Sequence, residues 1–409
     1  MEQEILDLVA SAEETLRPIF KHYDDLCLLN QEKVLDAFRE NRIGLHHFYG
    51  STGYGYDDIG REGLNKVYAT YFKAEDALAT PLITCGSHAV NLTLMALLRP
   101  GDTMLSITGK PYDTIDLTLF GENVGGFKDY NISYDQIDMN GSEINMPAVL
   151  EYLRDKVPKI IFLQRSRGYE FRKSLSVYYI EQIAKEIKKA CPSALIVVDN
   201  CYGEFLEDKE PTEVGADVCI GSLSKNPGGG IAPCGAYVVG KEKAISLVKA
   251  RFTSPSLHTE VGSFEMGYRL FYQGFFMGPN TTTQALKGAY LIGEVMHKLG
   301  YDIIPLSNEK AYDIVKTIKF NTKEELLEFV KIIQKYSPVD SYVQPIPWMR
   351  SGYGHEIVMG AGTFVQGATM ELSCDAPITE PYYGQVQGGL TYEHVKLVAM
   401  QLARFFWHG

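Results

Sequence analysis

The sequence predicts an α/β fold, a mostly parallel sheet covered on both faces and followed by a smaller α+β unit. Three observations carry that prediction. Short strands that are apolar along their whole length recur through the middle of the chain, the pattern of strands buried on both sides. Helical patterns of roughly ten to fifteen residues separate them, the connection that parallel pairing requires. After Gly278-Pro279-Asn280 the periodicity changes, and a second, smaller unit begins.

In chain order, residues 1–40 read as helix, because Leu6, Val9, Leu16, Ile19 and Phe20, then Leu26, Leu29, Val34, Leu35 and Phe38, fall at helical spacings. Residues 44–60 are rich in glycine and tyrosine and read as a loop. Ser87–Leu98 reads as a helix, Thr103–Ile107 and Lys159–Leu163 as strands, and Ser176–Ala190 as a helix with Val177, Ile180, Ile183, Ala184 and Ile187 in register. Ala194–Asp199 is an apolar strand ending in an acid, and strands Val218–Gly221 and Ala236–Val239 follow. A long helix is expected over 281–299, with further helices at Glu324–Tyr336 and Thr391–Phe406. The resulting division is 1–60, 61–280 and 281–409.

Composition narrows the class. The chain has 409 residues, 45% hydrophobic and 22% charged, an ordinary globular balance. Its formal charge of −12 argues against nucleic acid or an anionic membrane as partner, since both need a concentrated basic face. No apolar run is long enough to span a bilayer. The acidic opening Met1-Glu2-Gln3-Glu4 and seven cysteines without a CxxC pair predict reduced thiols and a cytoplasmic protein.

The sharpest local signal is Gly221-Ser222-Leu223-Ser224-Lys225-Asn226-Pro227-Gly228-Gly229-Gly230. A lysine at an apolar strand end is partly desolvated, which lowers its pKa and frees the amine for a Schiff base. Ser222 and Ser224 offer hydroxyls on the scale of a phosphate, and the glycines let the backbone approach a planar ligand. Taken alone, the ten residues fit a surface loop equally well. They are not a Walker loop, because the lysine precedes the glycines.

Asp199 ends the strand of Ile196-Val197-Val198-Asp199-Asn200-Cys201-Tyr202-Gly203-Glu204-Phe205. A buried carboxylate needs a partner, and a pyridinium nitrogen suits it because the acid keeps that nitrogen protonated. By itself an acidic helix cap is the commoner role. One strand before Lys225, the cofactor role prevails. Thr84-Cys85-Gly86-Ser87-His88 opens a helix whose amides can hold an anion, with Gly86 and Ser87 as phosphate ligands and His88 against a ring face. No cluster has metal-ligand spacing, so no metal is expected.

Together these elements resemble the pyridoxal-phosphate (PLP) enzymes of the aspartate-aminotransferase-like fold, fold type I. More narrowly they resemble the Cys/Met-metabolism family, which includes methionine γ-lyase and the cystathionine lyases. Gln164-Arg165-Ser166-Arg167-Gly168-Tyr169, Ser222-Leu223-Ser224-Lys225 and Glu371-Leu372-Ser373-Cys374-Asp375-Ala376-Pro377 are similar to its methionine γ-lyase-like "aluminium resistance" branch.

The resemblance implies a PLP-dependent carbon–sulfur lyase acting by β- or γ-elimination on methionine, cystathionine or cysteine. An aminotransferase, a γ-replacement synthase and a non-catalytic PLP-binding protein are the alternatives on the same scaffold. It implies that Lys225 carries the cofactor and moves protons, that Asp199 pairs with the ring nitrogen, and that Gly86, Ser87, Ser222 and Ser224 hold the phosphate. Tyr112 falls at the family's ring-stacking tyrosine, which also assists proton transfer, so the resemblance implies a catalytic role for it beside Lys225. Tyr54, Tyr56 and Arg61 stand where the family reaches into a neighbouring subunit's phosphate site, which implies a dimer or tetramer with shared sites. The domains become an N-terminal arm with an inter-subunit loop, a PLP-binding domain and a small C-terminal domain. The family's carboxylate-binding arginine is missing from Tyr382-Tyr383-Gly384-Gln385-Val386-Gln387-Gly388-Gly389-Leu390-Thr391. Arg165, Arg167, Arg172 and Arg350 remain as candidates.

Overall fold

The computed structural model describes residues 2–349 and 354–407. Helix α1 (Glu2–Glu40) leads through a turn to α2 (Ile59–Tyr71) and strand β1 (Asp76–Thr80). Then come α3 (Gly86–Leu97), β2 (Thr103–Ser106), α4 (Asp116–Phe120), β3 (Ser133–Gln136), α5 (Met146–Asp155), β4 (Ile160–Gln164) and α6 (Val177–Ala190). Strands β5 (Leu195–Asp199), β6 (Val218–Ser222) and β7 (Ala236–Gly240) complete a seven-stranded sheet in the order β1-β7-β6-β5-β4-β2-β3.

The strands from β3 through β6 are parallel, as the unbroken apolar runs of β4, β5 and β6 predict. β7 is the exception. It runs antiparallel to both β6 and β1, a direction that residue pattern alone does not encode. Helices α7 (Glu242–Phe252) and α3 cover one face of this end of the sheet, while α5 and α6 lie over another part of it.

Helix α8 (Arg269–Lys298) corrects the expected break at Gly278-Pro279-Asn280, because it runs straight through that triplet. Its start, with Phe271, Tyr272 and Phe275, packs into the large unit, and its end, from Ala285 to Met296, packs into the small one. The boundary at 280 therefore falls inside one helix. Strands β8 (Asp302–Ile304) and β9 (Lys316–Lys319), helix α9 (Lys323–Lys335), β10 (Trp348–Met349), β11 (Glu356–Gly360), β12 (Ser373–Pro377), β13 (Tyr383–Gln387) and α10 (Tyr392–Phe406) form the rest. Their six strands make a separate antiparallel sheet, β10-β11-β12-β13-β9-β8. The α1 stripe Ile5, Val9, Ala12, Leu16 and Ile19 buries itself in this same core, so the first helix is no detached arm. Among the described residues no helix is long and apolar enough to cross a membrane.

Candidate active site

Parallel sheets present ligand-binding groups at the carboxyl ends of their strands. Asp199 ends β5 and pairs in register with Ile220 of β6, so the chain that carries Lys225 leaves the sheet beside it. Asp199 is 3% exposed, and its Oδ1 accepts the amide of Cys201 at 3.1 Å. Burial pushes its carboxyl pKa up, while the charge of Lys225 and the Cys201 amide pull it back. The Lys225 Nζ sits 3.9 Å from the centroid of the Tyr202 ring.

The expected fall in the Lys225 pKa is corrected by its surroundings. Burial does oppose the ammonium, but Cys201, Tyr202, Asp199 and Tyr112 outweigh it and hold the amine well above its ordinary value. With the aspartate charge nearby, the lysine is held as a cation. A ligand cation that took over Asp199 would remove that restraint.

The expected phosphate end lies on the α3 side. The first amides of a helix have no acceptor of their own, and α3 begins at Gly86. A Cβ on Gly86 would stand 3.3 Å from the Cys201 Sγ and 3.7 Å from the Ser222 Cβ, so the helix start, the β5 end and the β6 end converge there. The Ser222 and Ser224 hydroxyls are 3.0 Å apart. Tyr112 donates its amide to the Gln164 Oε1 at 3.0 Å. Burial and then the Asp199 charge raise its phenol pKa, while a bond with Ser87 lowers it. His88 takes no part in this cluster of contacts: it is exposed, and its Nδ1 is 3.2 Å from both the amide and the hydroxyl of Thr84.

Tyr54 and Tyr56 are 68% and 58% exposed and stack on each other, with centroids 5.4 Å apart. Arg61 points inward instead. It is buried, and its Nη1 donates to the carbonyls of Gly55 at 2.9 Å and Gly262 at 3.2 Å. Its Nε has no partner among the described residues.

The arginines proposed for substrate are differently employed. Arg165 is fully buried, with bonds to Glu207, to the Asn200 Oδ1 at 2.7 Å, and to the carbonyls of Gly203 at 2.9 Å and Leu175 at 3.1 Å. Arg167 forms a bidentate pair with Asp313 at 3.0 and 2.8 Å and caps the Ile304 carbonyl at 3.0 Å. Arg172 pairs with Glu170 and donates to the Ser166 carbonyl. Arg165 and Arg172 thus donate within the large unit, and Arg167 braces the β4 loop against the small one. Arg350 lies outside the described residues.

Sequence reasoning passed over Tyr202, Cys201 and Glu204. Glu204 is fully buried, accepts the Tyr237 hydroxyl at 2.8 Å, and has an Oε2 without a partner among the described residues. Burial pushes its pKa up to about 8. The available signal was their position, within five residues of Asp199 in one turn.

A buried acid facing an amine, beside a helix start and two hydroxyls, is the donor set that a phosphorylated pyridine aldehyde requires. The match of the methionine gamma-lyase family model over residues 5–406 decides the kinship. The chain belongs to the methionine gamma-lyase family. Among its relatives is the uncharacterized protein YnbB of Bacillus subtilis, 42% identical over 382 residues, which are 92% of this chain and 90% of that protein. A solved structure of a carbon-sulfur lyase involved in aluminum resistance from Clostridium novyi is 42% identical, with a TM-score of 0.94 and coverage of 98% of this chain and 96% of that one. The PLP-dependent protein YhfS from Escherichia coli shares the fold at 15% identity, with a TM-score of 0.64 over 93% of this chain and 95% of its own. Membership of this family implies PLP as the cofactor.

Proposed function

We propose that this member of the methionine gamma-lyase family is a PLP-dependent carbon–sulfur lyase that eliminates a thiol from the β- or γ-carbon of an amino acid such as cystathionine, methionine or cysteine. The observation that carries the reading is the convergence of buried Asp199, at the end of β5, with Lys225, on the turn that leaves neighbouring β6, close enough for each charge to act on the other. When bound, the cofactor supplies an electron sink for the carbanion left by loss of the α-proton. Asp199 would hold the ring-nitrogen proton. The α3 amides at Gly86 and Ser87, with Ser222 and Ser224, would hold the phosphate, and Tyr112 would lie against the ring. Lys225 takes the α-proton as general base and returns it as acid. The products are a thiol, an oxo acid and ammonia. Tyr54 and Tyr56, on the loop whose base Arg61 holds, would complete the site of a second copy of the chain.

One observation favours a different reading, a PLP protein without turnover. Arg165 and Arg167 are tied up internally, and residues 382–391 contain no arginine. Incubating the purified protein with each amino acid and no second substrate separates the two. Oxo acid and ammonia in equal amounts support the lyase. A stable cofactor spectrum with every amino acid supports the carrier and ends the lyase proposal.

A further inference from the structure

Tyr202 joins a strained backbone to the reactive amine. Its φ is 74°, in the left-handed region, which a bulky side chain enters only when its surroundings hold it there. The surroundings are visible. The next residue, Gly203, donates its amide to the Asn200 carbonyl at 2.9 Å, and its own carbonyl accepts the Arg165 Nη1 at 2.9 Å. A Cβ on Gly203 would come within 2.4 Å of that same nitrogen, so the guanidinium and the turn fit only with glycine between them. Arg165 also takes the Asn200 Oδ1 and Glu207. One buried cation thus fixes the turn at several points.

What the turn delivers is an aromatic face. The Lys225 Nζ stands 3.9 Å from the ring centroid, well within the range at which an ammonium is attracted to a π face. The ring also packs against the core of the small unit.

We propose that Tyr202 is the platform that orients the Lys225 amine, and that Arg165 is a positioning residue that holds this platform rather than a clamp for substrate. The proposal rests on the reading of Lys225 as the cofactor-capturing amine. The other groups facing that amine are Asp199 and Cys201 from the end of β5 and Tyr112 from the loop before α4, with Glu204 from the same turn as Tyr202. All of these remain when the ring is removed. Loss of the π face then destabilises the ammonium, so free amine appears at lower pH.

The test uses the full chain stripped of cofactor and resupplied with PLP. The rate of yellow adduct formation is followed against pH, and borohydride trapping with peptide mass analysis assigns the adduct to Lys225. Tyr202→Leu, which loses the ring face, should move the midpoint about half a pH unit towards acid, and Tyr202→Phe, which keeps the face and loses only the hydroxyl bond to the amine, should move it less. Arg165→Lys, which cannot serve all of its acceptors at once, should move it in the same direction. A midpoint unmoved in Tyr202→Leu, with wild-type melting, overturns the proposal. So does an Arg165→Lys variant that raises KM for every amino acid while leaving the midpoint in place. A wild type that captures no PLP at any pH overturns the functional reading along with it, whereas normal wild-type capture with unmoved variants overturns this proposal alone.

Discussion

Two turns rich in aromatic residues differ in what they are built against. In the turn after β5, Asn200, Cys201, Glu204 and Phe205 are buried, and Arg165 ties it to the body of the chain. In the loop before α2, Asp58 and Arg61 anchor the base, with the Tyr268 hydroxyl on Asp58 at 2.9 Å, while Tyr54 and Tyr56 stack in the open. The first turn is complete within one chain. The second spends its binding energy on holding a protruding pair of rings in place, which is economical only if something else receives them.

The largest expected effect tests that contrast directly. Lys225→Ala should lose the yellow adduct and at least about a thousandfold in elimination rate. If the outward loop serves a second copy, mixing Lys225→Ala with Arg61→Ala protein should restore activity, up to about a quarter of wild type, because about half of the dimers are mixed and each of those regains one of its two sites. Activity no greater than the sum of the two separate variants would break the shared-site reading.

Next in size is Arg167→Ala, which strands Asp313 without its partner in a fully buried setting. Breaking such a pair costs about 3–5 kcal/mol, to be read by denaturant unfolding. Unchanged stability with a raised KM would return Arg167 to the substrate.

Glu204 gives a pH signature. Its folded pKa, up to about 8, lies above the unfolded carboxylate value, so the folded state keeps a proton that the unfolded state has lost. Stability from this group is therefore full below the unfolded pKa and is lost as pH rises towards 8. Glu204→Gln should flatten that decline, a difference of roughly 5 kcal/mol between acid and alkaline limits. Parallel melting curves for the two proteins would contradict it. The smallest effect belongs to Tyr54→Ala with Tyr56→Ala, which should weaken cofactor retention about tenfold while leaving the melting temperature of the isolated chain unchanged.

The same contrast explains what the sequence made legible. β4, β5 and β6 were readable because burial on both faces demands unbroken apolar runs, and an acid or a lysine at their ends is conspicuous by its cost. β3, with the sequence Ser133-Tyr134-Asp135-Gln136, is an edge strand with little buried side chain, and it left no comparable trace. Gly278-Pro279-Asn280 suggested that the long helix starts after it, yet α8 already runs from Arg269 and stays continuous through the triplet, with the Thr283 hydroxyl supplying a bond to the Pro279 carbonyl at 2.9 Å. Arg165 and Arg167 show a related limit. A motif shows that a guanidinium is present, but only three-dimensional contact shows that Asp313 or Glu207 already holds it.

Helix α8 has one further consequence. Since it supplies apolar side chains to the cores of both units, neither can melt without exposing part of the other. Calorimetry should record a single cooperative transition, and proteolysis should yield no stable fragment ending near residue 280.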